Sequence, residues 1–193
     1  QFQMRFTESP PEYEASIALI GNYKSAKAGG DGLMPGPNDT GAPAFFIPAG
    51  ARGHTETMRL TLPEKLGGNP LPELKVHGVS THMHYVGTDM SVQVTRPAPT
   101  ANDPASECLL ETPRWDFNWQ RQYAYDAAID ALPTLRTGDQ LTMKCTYDNS
   151  MDNPFVKRAL LEQKLTAPQD VTLGETTLDE MCLAAVNLIY KVK

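Results

Sequence analysis

Short segments in which polar and apolar residues alternate recur along this chain, and clusters of turn-forming residues separate them. The clearest segments are 56–63, 90–95 and 140–147. Alternation with a period of two is typical of a strand that buries one face, and clusters of Gly, Pro, Asn and Asp are typical of turns. Because no regular pattern of helices lies between these segments, they favour antiparallel pairing. The pattern predicts an all-β fold, an antiparallel β-sandwich of the jelly-roll kind.

The remaining segments complete this expected architecture. Further predicted elements are strands at 16–20, 74–84 and 109–112, a short helix at 156–165, and a segment at 180–192 that fits either helix or strand. Residues 1–6 also alternate. Residues 24–44 have the Gly, Pro, Asn and Asp content of a long loop, which could lie between two strands or could equally mark a boundary. With 193 residues, of which 40% are hydrophobic, we expect one sandwich domain over residues 1–193, with a loop-rich segment at 1–44. This sandwich domain could be the second domain of a longer protein.

Charge and hydropathy bear on the partners of this chain. The formal net charge is −6, and no cluster of Lys and Arg could follow a phosphate backbone. No apolar run reaches the roughly 20 residues of a bilayer-spanning helix, and the chain begins without the pattern of a signal peptide. We therefore expect a soluble protein with no nucleic acid partner and no membrane span.

The strand predicted at 74–84 ends in the motif His82-x-His84. Side chains two residues apart on a strand share a face, so the two imidazoles would converge. Imidazole is the commonest protein ligand of borderline first-row metals, and this pair would form half of a metal site. The alternative is two polar side chains on a solvated face. His77 would face the opposite side and is interpreted as structural, and His54 as a solvated turn residue.

A third ligand would have to come from elsewhere in the chain. Asp89 and Asp148 are candidate carboxylates, which suit iron or manganese, whereas the thioether of Met181 suits copper because soft sulfur matches Cu(I). Met181 considered alone is typical of a core residue. Composition and spacing leave these alternatives open.

Four stretches, in this order and spacing, point to a known family. They are Thr81 to Gly87; Trp115 to Gln120 with Tyr123; Gly138-Asp139 leading to Cys145 through Ser150 with Asn153-Pro154; and Gly174 to Thr177 leading to Asp179 through Cys182. Together they resemble the C-terminal domain of the copper type II, ascorbate-dependent monooxygenases, the family of peptidylglycine α-hydroxylating monooxygenase and dopamine β-hydroxylase. The resemblance covers residues 46–190, and its tryptophan-rich and Tyr-Asp-Asn-Ser stretches are most similar to bacterial relatives.

The resemblance implies a copper centre and a hydroxylation reaction. By position, His82, His84 and Met181 would be the copper ligands and the catalytic residues. Copper bound there would leave a fourth position open for O2. The implied reaction is hydroxylation of a C–H bond in a small substrate, with ascorbate or another one-electron donor as co-substrate.

The resemblance also implies a disulfide between Cys145 and Cys182, with Cys108 unpaired. Such a bridge closes a loop of about 38 residues and contributes about 2–4 kcal/mol to stability. A persistent disulfide indicates an oxidising compartment, so the resemblance implies a periplasmic or secreted protein.

The chain also departs from the family pattern. Family hydroxylases carry a second copper, bound by three histidines of an N-terminal domain, whereas only His54 and His77 remain here. Electrons would come from another domain, a partner or a small reductant. Ser80, Leu183 and Ala185 stand where the peptide-amidating enzyme holds its substrate's carboxylate, so a peptidylglycine substrate is not expected.

Two other functions stay open beside the monooxygenase. One is a copper-binding carrier or sensor without catalysis, and the other is a structural sandwich that keeps only the scaffold. Among the aromatic residues, Tyr85, Trp115 and Trp119 could line a substrate face, although aromatic residues at this spacing are more often core. Asp179 and Glu180 could orient a histidine ligand.

Overall fold

A computed structural model describes residues 12–20, 32–37, 39 and 41–191 of the chain. The strands in these residues are β1 (Tyr13–Ile20), β2 (Gly32–Leu33), β3 (Phe46–Ile47), β4 (Arg52–Thr61), β5 (Lys65–Leu66), β6 (Asn69–Pro70), β7 (Leu74–His82), β8 (Gly87–Thr95), β9 (Ser106–Thr112), β10 (Gln122–Ala124), β11 (Thr134–Leu135), β12 (Gln140–Asp148), β13 (Val171–Thr172) and β14 (Leu183–Lys191). A 3₁₀ turn (Ile129–Ala131) and a helix, α1 (Pro154–Glu162), complete the described elements.

The strands assemble into two five-stranded sheets and two short two-stranded sheets, β3 with β13 and β5 with β6. Sheet 1 has the order β1-β14-β7-β10, with β11 also paired to β7, and sheet 2 has the order β2-β4-β12-β8-β9. The paired strands run antiparallel throughout the described residues. The predicted all-β antiparallel sandwich is thus confirmed.

Most predicted elements appear with shifted ends. The segment at 180–192, which fits either helix or strand by pattern, forms β14, and the helix predicted at 156–165 is α1. The alternating segment at 1–6 and part of the loop-rich segment 24–44 lie outside the described residues. In the part of the chain that the structure describes, no helix has the length and apolarity to cross a membrane.

Alternation places the core between the two sheets. On β12, Leu141, Met143, Cys145 and Tyr147 are buried, while the residues between them are less buried or exposed. The core also contains buried apolar side chains of β7, β8 and β14, namely Val76, Val79, Met90, Val92, Val94, Val186 and Leu188. Burial of each such side chain contributes about 1.5–3 kcal/mol.

A disulfide links sheet 2 to the start of the central strand of sheet 1. Cys145 lies on β12 and is bonded to Cys182, the residue directly before β14. Both residues are fully buried. This disulfide confirms the pairing implied by the resemblance. The remaining cysteine, Cys108, is free and exposed on β9.

A β-bulge interrupts the alternation of β7. Val76 pairs with Leu188 and Gly78 with Asn187, so His77 is an extra residue on this strand. Because the alternation changes phase at a bulge, the prediction that His77 faces away from His82 is wrong. The carbonyl of His77 accepts a hydrogen bond of 2.9 Å from the Tyr125 backbone N–H. This main-chain bond joins β7 to the residue after β10, and the structural role expected of the His77 side chain stays a prediction.

Helix α1 is fixed to the sandwich through its N-cap. The Asn153 side chain accepts from the Phe155 N–H, and Pro154 occupies the first helical position, where its missing N–H costs nothing. The Nδ2 atom of Asn153 donates to the carbonyls of Tyr85 at 3.0 Å and Asp148 at 2.8 Å. One buried side chain therefore ties α1 to the end of β12 and to the turn after His84.

Replacement of Asn153 by alanine is expected to lower the free energy of unfolding by about 2–3 kcal/mol, because it removes the helix cap and two buried hydrogen bonds. Urea titration followed by circular dichroism measures the change. The exposed Asn118→Ala variant is the control. Asn153→Asp keeps the cap acceptor but cannot donate to the two carbonyls, so it should also be destabilised. If Asn153→Asp were as stable as the wild type, the helix cap alone would account for the contribution of Asn153 to stability.

Candidate metal centre

The two histidines of the motif lie together at one end of sheet 1. His82 is the last residue of β7, and His84 follows two residues later, so the strand predicted at 74–84 ends before the second histidine. Their ring centroids are 5.2 Å apart in an edge-on arrangement. His84 is 8% exposed, whereas His82 is only half-buried. The predicted convergence of the imidazoles is therefore present, although the connection between β7 and β8, rather than the strand itself, positions His84.

Both imidazoles use the Nδ1 atom for a hydrogen bond to the protein. His84 Nδ1 lies 2.9 Å from the main-chain carbonyl oxygen of Asp179, and His82 Nδ1 lies 2.6 Å from Oε1 of Gln120. A carbonyl oxygen only accepts, so Nδ1 is the donor in each ring and Nε2 carries the lone pair. Burial lowers the pKa of His84 below its ordinary value, which favours the neutral form. Each ring is thus held by a partner on Nδ1, so Nε2 is the nitrogen that a metal would use. The backbone of Thr176 also interacts with the His84 imidazole.

The third predicted ligand belongs to the chain segment beside these histidines. Leu183 of β14 pairs with His82, so Met181 lies two residues before the position opposite His82. The Met181 N–H donates to Oε1 of Glu180 at 2.8 Å, and its carbonyl accepts from the Tyr147 hydroxyl at 3.1 Å. The next residue forms the disulfide to β12. The backbone of Met181 is therefore held on both sides.

Glu180 connects the two ligand segments. Its side chain is fully buried, Oε1 accepts from the N–H groups of His84 and Met181, and Oε2 accepts from Val86 N–H at 3.1 Å. Burial raises the pKa of this carboxyl to about 8, although the hydrogen bonds from these backbone donors lower it. The histidine-orienting role expected of Asp179 and Glu180 is divided: the carbonyl of Asp179 contacts the ring, and Glu180 holds the main chain.

Aromatic residues surround His84. Trp115 is 8% exposed and its Nε1 donates to the His84 carbonyl at 3.0 Å. The Phe117 ring lies 6.1 Å from that of His84 and 4.6 Å from that of Tyr85, between centroids. A cavity of about 180 Å³ beside His84 is lined by Tyr85, Phe117, Glu175, Thr176 and Thr177. The aromatic segment therefore forms one wall of a small cavity at the histidine pair.

The other tryptophan of this segment is not part of the core. Trp119 is 62% exposed, and the guanidinium carbon of Arg121 lies 4.1 Å from its ring centroid. Residues 115–120 form turns and loops rather than a strand. Spacing of two among aromatic residues therefore indicated burial for Trp115, which belongs to the core, but not for Trp119, since the segment does not follow the pleat of a sheet.

The interpretation of His54 as a solvated turn residue is wrong. His54 is 5% exposed on β4, and its Nε2 lies 2.7 Å from Oε1 of Glu56, which is 1% exposed. Gly53 has a φ of 64° and lies where the pairing of β4 with β12 skips a residue. A glycine in this conformation is typical of a β-bulge as well as of a turn, and the strand continues through it.

The carboxylate alternatives for the third ligand find no support in the geometry. Within residues 12–20, 32–37, 39 and 41–191, no three side chains of His, Cys, Asp or Glu form a group that could hold a metal ion. Asp148 accepts from the backbone N–H of Ser150 at 3.1 Å, a turn contact. Two imidazole nitrogens together with a thioether would be a donor set that suits copper.

Comparison with known proteins gives one informative similarity. No protein-family model matches the chain. A human (Homo sapiens) protein named "Putative DBH-like monooxygenase protein 2" is 25% identical over 143 residues, which are 73% of this chain and 24% of that protein. The chain thus spans about a quarter of the length of this relative. Over most of its own length, the chain is similar to a protein that is named as a DBH-like monooxygenase.

Proposed function

We propose that this chain is the copper-binding catalytic domain of a monooxygenase, with His82, His84 and Met181 as ligands of a mononuclear copper. The observation that carries the proposal is that both imidazoles, with ring centroids 5.2 Å apart, have Nδ1 held by a protein acceptor, beside the segment that holds Met181. The similarity to a DBH-like monooxygenase supports the same reaction class. Bound copper would supply the one-electron chemistry that activates O2 for insertion into a C–H bond.

The residues around the pair have separable tasks in this proposal. His82 and His84 provide nitrogen donors of fixed tautomer, and the thioether of Met181 favours Cu(I). Substrate would enter the cavity of about 180 Å³ between Phe117, Tyr85 and Glu175. This size suits a small molecule placed directly beside His84, and proximity of this kind lowers the entropic part of the barrier.

Electrons and location are further parts of the proposal. Reducing equivalents would come from ascorbate, from another one-electron donor, or from a domain or partner beyond this chain. A further domain is conceivable because the chain spans about a quarter of the length of its human relative. We place the protein in the periplasm or outside the cell, since the buried Cys145–Cys182 disulfide requires an oxidising compartment.

Copper content and Cu(I) X-ray absorption of the purified protein test the proposal. We expect a single copper ion per chain, with a sulfur scatterer that disappears in Met181→Ala and persists in Met151→Ala, an exposed methionine that serves as control. Ascorbate-dependent O2 uptake should be lost in the first variant only. Failure to bind copper, or an all-nitrogen site indifferent to Met181, would overturn the site. Copper binding without O2 consumption would instead favour a carrier or sensor.

A further inference from the structure

The exposed side chain of Gln120 makes two hydrogen bonds beside the histidine pair. Its Oε1 lies 2.6 Å from His82 Nδ1, and its Nε2 donates to the Phe117 carbonyl at 2.9 Å. The Phe117 carbonyl can only accept, so it fixes which end of the amide faces it. The oxygen end of Gln120 is therefore the end that faces His82.

Strand pairing brings Gln120 to this place. Gln122 and Tyr123 of β10 pair with Ser80 and Val79 of β7. If this register is continued by two residues beyond β10, Gln120 falls opposite His82. Directly opposed residues on antiparallel strands are close enough for their side chains to interact. The contact between Gln120 and His82 thus follows from the backbone register as well as from the rotamers of two surface side chains.

The two histidines differ in what holds them. The His84 ring is buried, and its Nδ1 is bound by a main-chain carbonyl, which no substitution of a side chain removes. The His82 ring is half-buried, and its Nδ1 is bound by a side chain. A half-exposed neutral imidazole that lacked this acceptor could exchange between its two tautomers through water.

We propose that Gln120 is a positioning residue that holds His82 in the Nδ1–H tautomer and orients its Nε2 toward the metal. The orienting part rests on the proposed copper function, whereas the tautomer part applies to the metal-free protein. Gln120 also connects His82 with Phe117, whose ring lies against His84 and the cavity. A single amide therefore links one proposed ligand to the wall of the substrate cavity.

The tautomer is measured on metal-free, ¹⁵N-labelled protein by long-range ¹H–¹⁵N correlation at alkaline pH, where the imidazoles are neutral. We expect the Nδ1–H form of His82 in the wild type, a change toward the Nε2–H form in Gln120→Ala, and retention in Gln120→Glu, whose carboxylate still accepts. Gln122→Ala, an exposed glutamine two residues away, is the control. An unchanged His82 tautomer in Gln120→Ala would overturn the proposal.

Cu(I) affinity, measured by competition with a chromophoric chelator, tests the orienting part. Loss of a residue that orients a metal ligand typically costs 10–100-fold in affinity. We expect a loss of about this size in Gln120→Ala, and recovery to within a few-fold in Gln120→Glu. A changed tautomer with unchanged affinity would overturn the orienting role. If the wild type binds no copper, the proposed function fails, while the tautomer measurement still decides whether Gln120 fixes His82.

Discussion

Replacement of Glu180 by alanine is expected to destabilise the protein by about 3–5 kcal/mol. The carboxyl is 0% exposed and accepts from three backbone N–H groups, those of His84, Val86 and Met181. Alanine would leave these donors without partners in the interior and would create a cavity. The free energy of unfolding from urea titration measures the loss. Hydrogen exchange should show faster exchange at the three amides.

Glu180→Gln separates the hydrogen bonds from the packing of this side chain. Glutamine has the same shape and keeps one acceptor oxygen for His84 and Met181, but its amide nitrogen would face the Val86 N–H. We expect a loss of about 1–2 kcal/mol, which leaves a folded protein for comparison. Glu175→Ala, at an exposed position, is the control and should change stability little. A Glu180→Ala variant as stable as the wild type would contradict the role described for this residue.

Removal of the Cys145–Cys182 disulfide is expected to cost about 3–4 kcal/mol, since the bridge closes a loop between residues separated by 37 positions. The bridge joins β12 to the residue after Met181, so Cu(I) affinity should fall together with stability. Unfolding of the Cys145→Ala/Cys182→Ala double variant, and of the wild type under reducing conditions, gives two independent measurements. The two measured losses of stability should agree, apart from the packing contribution of the two sulfur atoms that the double variant lacks.

Cys108→Ala is the matched control for the disulfide. Cys108 is exposed and unbridged, and its replacement should change the free energy of unfolding by less than about 0.5 kcal/mol. Equal stability of the reduced and oxidised wild type would contradict the prediction. Loss of stability with full retention of copper binding would show that the disulfide supports the fold without positioning Met181.

Regular alternation allowed much of the fold to be predicted. The segment 140–147 forms β12 because each of its apolar residues faces the core between the sheets, and 90–95 forms the greater part of β8 for the same reason. The pairing of Cys145 with Cys182 was implied by resemblance alone, since three cysteines permit three pairings. The assignment of copper ligands rests on the same resemblance and stays a prediction.

Bulges and tertiary partners explain what the sequence did not indicate. His54 and His77 were misplaced because each adjoins an irregularity that adds one residue to a strand, and a bulge has no reliable signature in one sequence. Gln120 and Asn153 belong to stretches that carry the resemblance, but the contacts of their side chains were not predicted, because an amide that binds across the fold has the same local pattern as a solvated one. Their partners, His82 and Tyr85, are distant along the chain.

The strand order of sheet 1 has a consequence for how the molecule reaches its native state. Strand β14 lies between β1 and β7, although it follows both along the chain. The β7–β14 ladder joins segments about 100 residues apart, and contacts of such separation form slowly because loop-closure entropy opposes them. Until β14 is in place, one edge of β7 is open to pairing with other molecules. If β14 joins the sheet late, His82 and Met181 come to the same end of sheet 1 only at that stage, so a metal that needed both residues could not bind before then.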